Sequence, residues 1–201
     1  MINRTPLMQA SQWVFLTTIG LGAGIVTALV VGKPIGRIVG AMLVTAILTS
    51  LAGAVLGSMQ AVWLRRLLVR PIWWIAATTA GVGIGLAVGV VAIEQAGILI
   101  AGRRPNVIQL SPPMRALSFL ILGLVTGAAM GVSQWLVFRL PKWIATSAIG
   151  LGLAFAAGSV LVDTAVGGIG SPAGLITFVV LSGIFFGAAT SGPLLKKRAA
   201  G

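Results

Sequence analysis

The chain has 201 residues, 58% of them hydrophobic and 8% charged, with a mean hydropathy of +1.09 and a formal net charge of +12. Soluble domains carry about 25% charged residues, so a chain this poor in charge cannot cover a water-facing surface and reads as an integral membrane protein. Cysteine and histidine are absent, and only two carboxylates exist, Glu94 and Asp163; this excludes disulfides, thiol chemistry, Cys/His metal centres and an imidazole base.

The first apolar run, Gln12–Val31, follows Met1-Ile2-Asn3-Arg4 and continues for about 20 residues, longer than an ordinary signal-peptide core. No small-x-small cleavage site precedes Lys33-Pro34, so the run is expected to be a retained helix. Five more stretches reach bilayer-spanning length: Ile38–Leu64, Ile72–Ile93, Leu117–Phe138, Trp143–Val162 and Leu175–Leu195. Pro71 and Pro141 stand where a helix tolerates proline, in the first turn. The reading is one transmembrane domain over residues 1–201, with short polar connections and no soluble domain.

Charge orients the bundle. One side collects Arg4, Arg65, Arg66, Arg70, Arg139, Lys142, Lys196, Lys197 and Arg198, with no acid among them. The other collects Lys33, Arg37, Arg103, Arg104 and Arg115 together with Glu94 and Asp163. An excess of cations marks the cytoplasmic side, so both termini are expected there, in the inner (plasma) membrane of a bacterium. The basic clusters between apolar runs serve as topology signals and headgroup contacts, Arg65, Arg66 and Arg70 foremost, and nucleic acid is not expected as a partner.

A repeat underlies the six spans. Trp13, Trp74 and Trp143 are each followed by glycine at +7 and +9 (Gly20/Gly22, Gly81/Gly83, Gly150/Gly152) and by a charge at +20: Lys33, Glu94 and Asp163. In the even-numbered spans Gly53/Gly57 precede Gln60, Gly127/Gly131 precede Gln134, and Gly183/Gly187 precede Thr190 at the same offsets. Glycine makes up 28 of 201 residues, so six coincident glycines arise by chance with a probability of order 10⁻⁵ before any correction for searching. The expected fold is therefore all-α: a six-helix transmembrane bundle of three tandem hairpins, residues 12–64, 72–138 and 143–195, about a pseudo-threefold axis along the membrane normal.

Each repeated position has an expected role. Twenty residues of helix rise about 30 Å, the hydrocarbon thickness. The tryptophans are thus expected as interface anchors, and Lys33, Glu94 and Asp163 as a charged ring or solvated helix ends at the opposite face. The glycine pairs lie on one helix face and let neighbouring backbones approach, where dispersion replaces the hydrophobic drive that lipid does not supply. Gln60 and Gln134 sit just inside the apolar zone and need partners. They are expected either to fix hairpin packing by interhelical hydrogen bonds or, with Thr190, to line an axial polar site.

The stretch GVSQWLVFR at Gly131–Arg139, with Trp143 and the glycines after it, resembles uncharacterised glycine-rich multi-pass bacterial membrane proteins over about two-thirds of the chain. That resemblance implies no activity. Three two-helix repeats are also a feature of mitochondrial carriers, but the Pro-x-Asp/Glu-x-x-Lys/Arg signature does not follow Pro34 or Pro71, and carrier function is not carried over. No catalytic residue, metal or cofactor is expected, since the two acids lie near the membrane surface without an acid–base companion. The expected function is a non-enzymatic accessory or structural subunit of a larger membrane complex, respiratory or photosynthetic, with lipids and other membrane subunits as partners. A small-solute channel or carrier with a glutamine-lined axial site, and a lipid- or quinone-binding protein, stand as alternatives.

Overall fold

The computed structural model describes residues 5–35, 41–65, 68, 70–101, 109–140 and 142–199, with side chains over 5–27, 47–65, 68, 70–99, 109–140 and 142–195. The described residues form six helices: α1 (Pro6–Ile35), α2 (Ala41–Leu64), α3 (Pro71–Ala101), α4 (Pro112–Phe138), α5 (Trp143–Ala165) and α6 (Pro172–Ala199). Four begin on proline, whose fixed φ suits the first turn and whose missing N–H costs nothing there. All six are long and apolar enough to cross a membrane. Even α5, with 23 residues, rises about 35 Å.

Five of the six apolar spans lie within one helix each, and those helices overrun them; the start of the span Ile38–Leu64 lies outside the described residues. The connection expected to begin at Glu94 starts later, because α3 continues for two more turns through Gly97-Ile98-Leu99-Ile100-Ala101. Glu94 is thereby a mid-helix residue. At the other end of the chain α6 runs through Pro193, close enough to the helix end that the lost backbone bond is one of the last. Pro141 lies outside the described residues.

Each helix packs on its neighbours in sequence, and α6 closes against α1; among the described residues no other pair of helices brings its backbones this close, and only side chains reach across the ring. The result is a closed ring of six antiparallel neighbours. Its inner surface carries Leu56, Met130, Phe186, Ala154 and Val162, all buried, while Ile84, Leu136, Leu153 and Ile176 each stay more than half exposed on the outside. In water such an outer surface would aggregate; in hydrocarbon it needs no cover.

Glycines set the spacing of the ring. An ideal Cβ on Gly57 would lie 3.1 Å from the Ile75 Cα, on Gly131 2.9 Å from the Ile144 Cα, and on Gly187 2.9 Å from the Val14 Cα. A Cβ on Gly127 would collide with the Ser147 carbonyl. These four contacts join α2 to α3, α4 to α5 and α6 to α1. The other three interfaces are set from the opposite side: Gly20 meets Leu56, Gly81 meets the Met130 backbone, and Gly150 meets Ala189.

Candidate functional site

The closest approach of these helices brings together a layer of buried polar groups. Gln60, Gln134 and Thr190 lie three residues after Gly57, Gly131 and Gly187, and all three are at most 1% exposed. Facing them are Trp13, Trp74 and Trp143, equally buried. Because the glycines hold the backbones together, an indole on one helix reaches the polar side chain of the next. Trp74 Nε1 donates to Gln60 Oε1 at 3.3 Å, Trp143 Nε1 to Gln134 Oε1 at 2.9 Å, and Trp13 Nε1 to Thr190 Oγ1 at 2.9 Å. The three bonds cross the α2/α3, α4/α5 and α1/α6 interfaces respectively.

Gln134 ties the layer across the ring. Its amide donates to Thr78 Oγ1 at 2.8 Å and, more weakly, to Gln60 Oε1 at 3.4 Å. Thr78 and Thr190 each donate their own hydroxyl to the carbonyl four residues back, Trp74 O and Phe186 O. The rings fill the remaining space: the Trp74 and Trp143 centroids are 5.9 Å apart, Trp74 and Phe138 5.9 Å, and Trp13 and Trp63 5.4 Å. The layer contains donors and acceptors but no titratable group, so it can hold and orient but cannot transfer a proton at neutral pH.

The structure therefore brings Gln60, Gln134 and Thr190 into one layer with the tryptophans, as their shared level in the sequence suggested. The indoles of Trp13, Trp74 and Trp143 turn inward, because each N–H finds a protein acceptor there and each ring fills the core. The exposed tryptophan of this region is Trp73, at 57%. One set of residues escaped the sequence reading. Thr17, Thr78 and Ser147 each lie four residues after a repeated tryptophan, each fully buried in this layer. Among the described residues the Thr17 and Ser147 hydroxyls have no hydrogen-bond partner, unlike that of Thr78. The +4 hydroxyl was readable beside the +7 and +9 glycines.

At the far end of the bundle, Asp163 pairs with Arg115. Asp163 closes α5 and Arg115 opens α4, so antiparallel packing sets them side by side; a second Arg115 nitrogen donates to Leu110 O at 2.9 Å. Glu94 makes no ion pair among the described residues, because α3 carries on past it, and the Lys33 side chain lies outside them. The paired side chains are 13% and 11% exposed, and Glu94 takes no part in the pair. The α5–α6 loop crosses it at Gly168, whose φ of +115° is open only to glycine and whose missing Cβ would lie 3.6 Å from the Asp163 carboxylate. Beneath it Phe119, Phe155 and Phe178 cluster with centroids 5.0 to 6.5 Å apart. Breaking such a pair strands the partner, so Arg115→Gln and Asp163→Asn are each expected to cost about 2–4 kcal/mol, and the double variant little more than either. Unfolding of the four species in mixed micelles checks this; additive losses would mean the pair is not coupled.

At the opposite end Arg65, Arg70, Arg139 and Lys142 are exposed. The Arg139 guanidinium lies 4.5 Å from the centre of the Trp135 ring. Arg66 lies outside the described residues.

No protein-family model, curated protein or solved structure matches the chain. Its class rests on its own residues: a six-helix integral membrane protein with a buried indole–amide layer.

Proposed function

We propose that this chain is a non-catalytic structural subunit of a larger membrane assembly, built of three hairpins about a pseudo-threefold axis. The observation that carries the reading is the direction of the three indole bonds. Each repeated tryptophan donates to the polar residue of the preceding hairpin: Trp74 to Gln60, Trp143 to Gln134, and Trp13, closing the cycle, to Thr190. The glycine contacts follow the same rotation, with Gly57 on Ile75, Gly131 on Ile144 and Gly187 on Val14, each the residue after a tryptophan. The polar residues expected of an axial pore are thus engaged in holding hairpins together, and indoles pack into their layer. What remains for function is the outside, an apolar surface with basic residues at one end.

In this reading the basic end faces the cytoplasm of a bacterial cell, and the glycine pairs act as packing motifs inside the chain rather than as sites for a partner. Gentle detergent extraction from the native membrane, followed by mass spectrometry of what is retained, tests the proposal. Stoichiometric membrane-protein subunits are the expected result. A chain that always leaves the membrane alone, at native expression, would count against a subunit role.

A further inference from the structure

A recess on the outer surface between α5 and α6 forms a groove of about 730 Å³. Its bottom is the contact of Gly150 with Ala189, and its sides carry Ile149 and Leu153 from α5 and Phe185 from α6. From Lys142 at the mouth to Ala157 the groove follows 15 residues of helix, about 22 Å. That exceeds the roughly 15 Å depth of one leaflet's hydrocarbon. Among the described residues Lys142 is the only charged one lining it.

Lys142 stands in an unfavourable place. It is the N-cap of α5 in a left-handed conformation, φ +64°, and its side chain does not cap the helix. A cation here adds to the positive end of the helix dipole instead of offsetting it. It has no ion-pair partner among the described residues: Asp163 is taken by Arg115, and Glu94 lies within α3. A strained, uncompensated charge of this kind is an observation from which a binding role follows. The complement is an anion held at the end of an apolar chain.

We propose that the α5–α6 groove holds one acyl chain of an anionic phospholipid, with the lipid phosphate on Lys142. The chain replaces mobile bulk lipid along the Gly150–Ala189 floor, and the phosphate offsets both the ammonium and the unfilled helix start. This goes beyond the subunit role and does not depend on it.

The test uses the full chain in nanodiscs of equal phosphatidylglycerol and phosphatidylethanolamine, released gently and weighed by native mass spectrometry. The expected result is one retained phosphatidylglycerol per chain. Reversing one cation at the surface lowers binding by about tenfold, so Lys142→Glu should deplete the bound form to that extent. Ala157→Phe, which fills the groove from a partly exposed position, should remove it while leaving the melting temperature unchanged. Arg65→Glu, an exposed cation at the same end but off the groove, should leave retention within about twofold. The proposal is overturned by equal loss in Arg65→Glu and Lys142→Glu, by retention that survives Ala157→Phe, by phosphatidylethanolamine bound as well as phosphatidylglycerol, or by a second polypeptide, not a lipid, occupying the groove.

Discussion

Replacing Gln134 by leucine should lower stability by about 2–4 kcal/mol, the largest loss expected from any residue of the indole–amide layer. The side chain gives up its 2.8 Å bond to Thr78 and its long bond to Gln60, and it strips Trp143 of the acceptor 2.9 Å away. Interhelical hydrogen bonds in membranes contribute about 0.6–2 kcal/mol each, and a stranded buried indole N–H adds about 1–3 kcal/mol. Gln60→Leu should cost less, about 1–2 kcal/mol, since its bonds are 3.3 and 3.4 Å long. Reversible unfolding in mixed micelles reads both. A Gln134→Leu loss under about 1 kcal/mol, or one smaller than that of Gln60→Leu, would show that the layer does not hold the hairpins together. Trp→Phe at positions 13, 74 and 143 extends the measurement to the repeat. Comparable losses at all three positions support equivalent hairpins, and a loss confined to one position counts against them.

The second large effect is steric. Gly127→Ala places a methyl group on the Ser147 carbonyl and 2.8 Å from the Ala148 Cα. Both obstacles are backbone, so no rotamer change relieves the clash and α4 must move off α5. Overpacking of this kind costs about 1–3 kcal/mol, and Gly127→Leu should exceed that and impair folding. Gly22 is the internal control. It too is helical, yet a Cβ there meets only the Val179 Cγ1, at 3.8 Å, so Gly22→Ala should be neutral or stabilising by up to about 1 kcal/mol. Similar effects at the two positions would mean that close approach of α4 and α5 does not set the bundle's geometry.

The sequence carried the number of helices and the level of the polar residues well, for reasons that particular residues make clear. Apolar length is a one-dimensional property, and the bilayer reads it directly. The recurrence of Gln60, Gln134 and Thr190 after glycine pairs is likewise a matter of spacing. What spacing does not carry is the rotation of a helix about its own axis. In a soluble helix a polar face gives that rotation away; these helices are apolar all round, so Trp13, Trp74 and Trp143 fit an outward belt in sequence as well as an inward layer. The Arg115–Asp163 pair was hidden for a different reason. The two residues are 48 positions apart on separate helices, and only the antiparallel packing of α4 and α5 makes them neighbours. The α5–α6 groove was hidden too, since Lys142 reads as one more topology signal until the surface beside it is seen.

The closure of α6 on α1 also has a consequence for how the protein is made. Trp143 finds Gln134 nine residues earlier in the chain, already in the membrane when the indole arrives. Trp13 must wait for Thr190, 177 residues later. At 5–20 residues per second, the first helix spends about 9 to 35 s with its indole and its α6-facing surface uncovered. During that interval the nascent chain is an open arc whose two ends expose the same complementary surfaces that will finally join. A chain that stops before Thr190 keeps both ends open, and its α1 edge offers a neighbouring copy the seat that α6 fills in the finished protein.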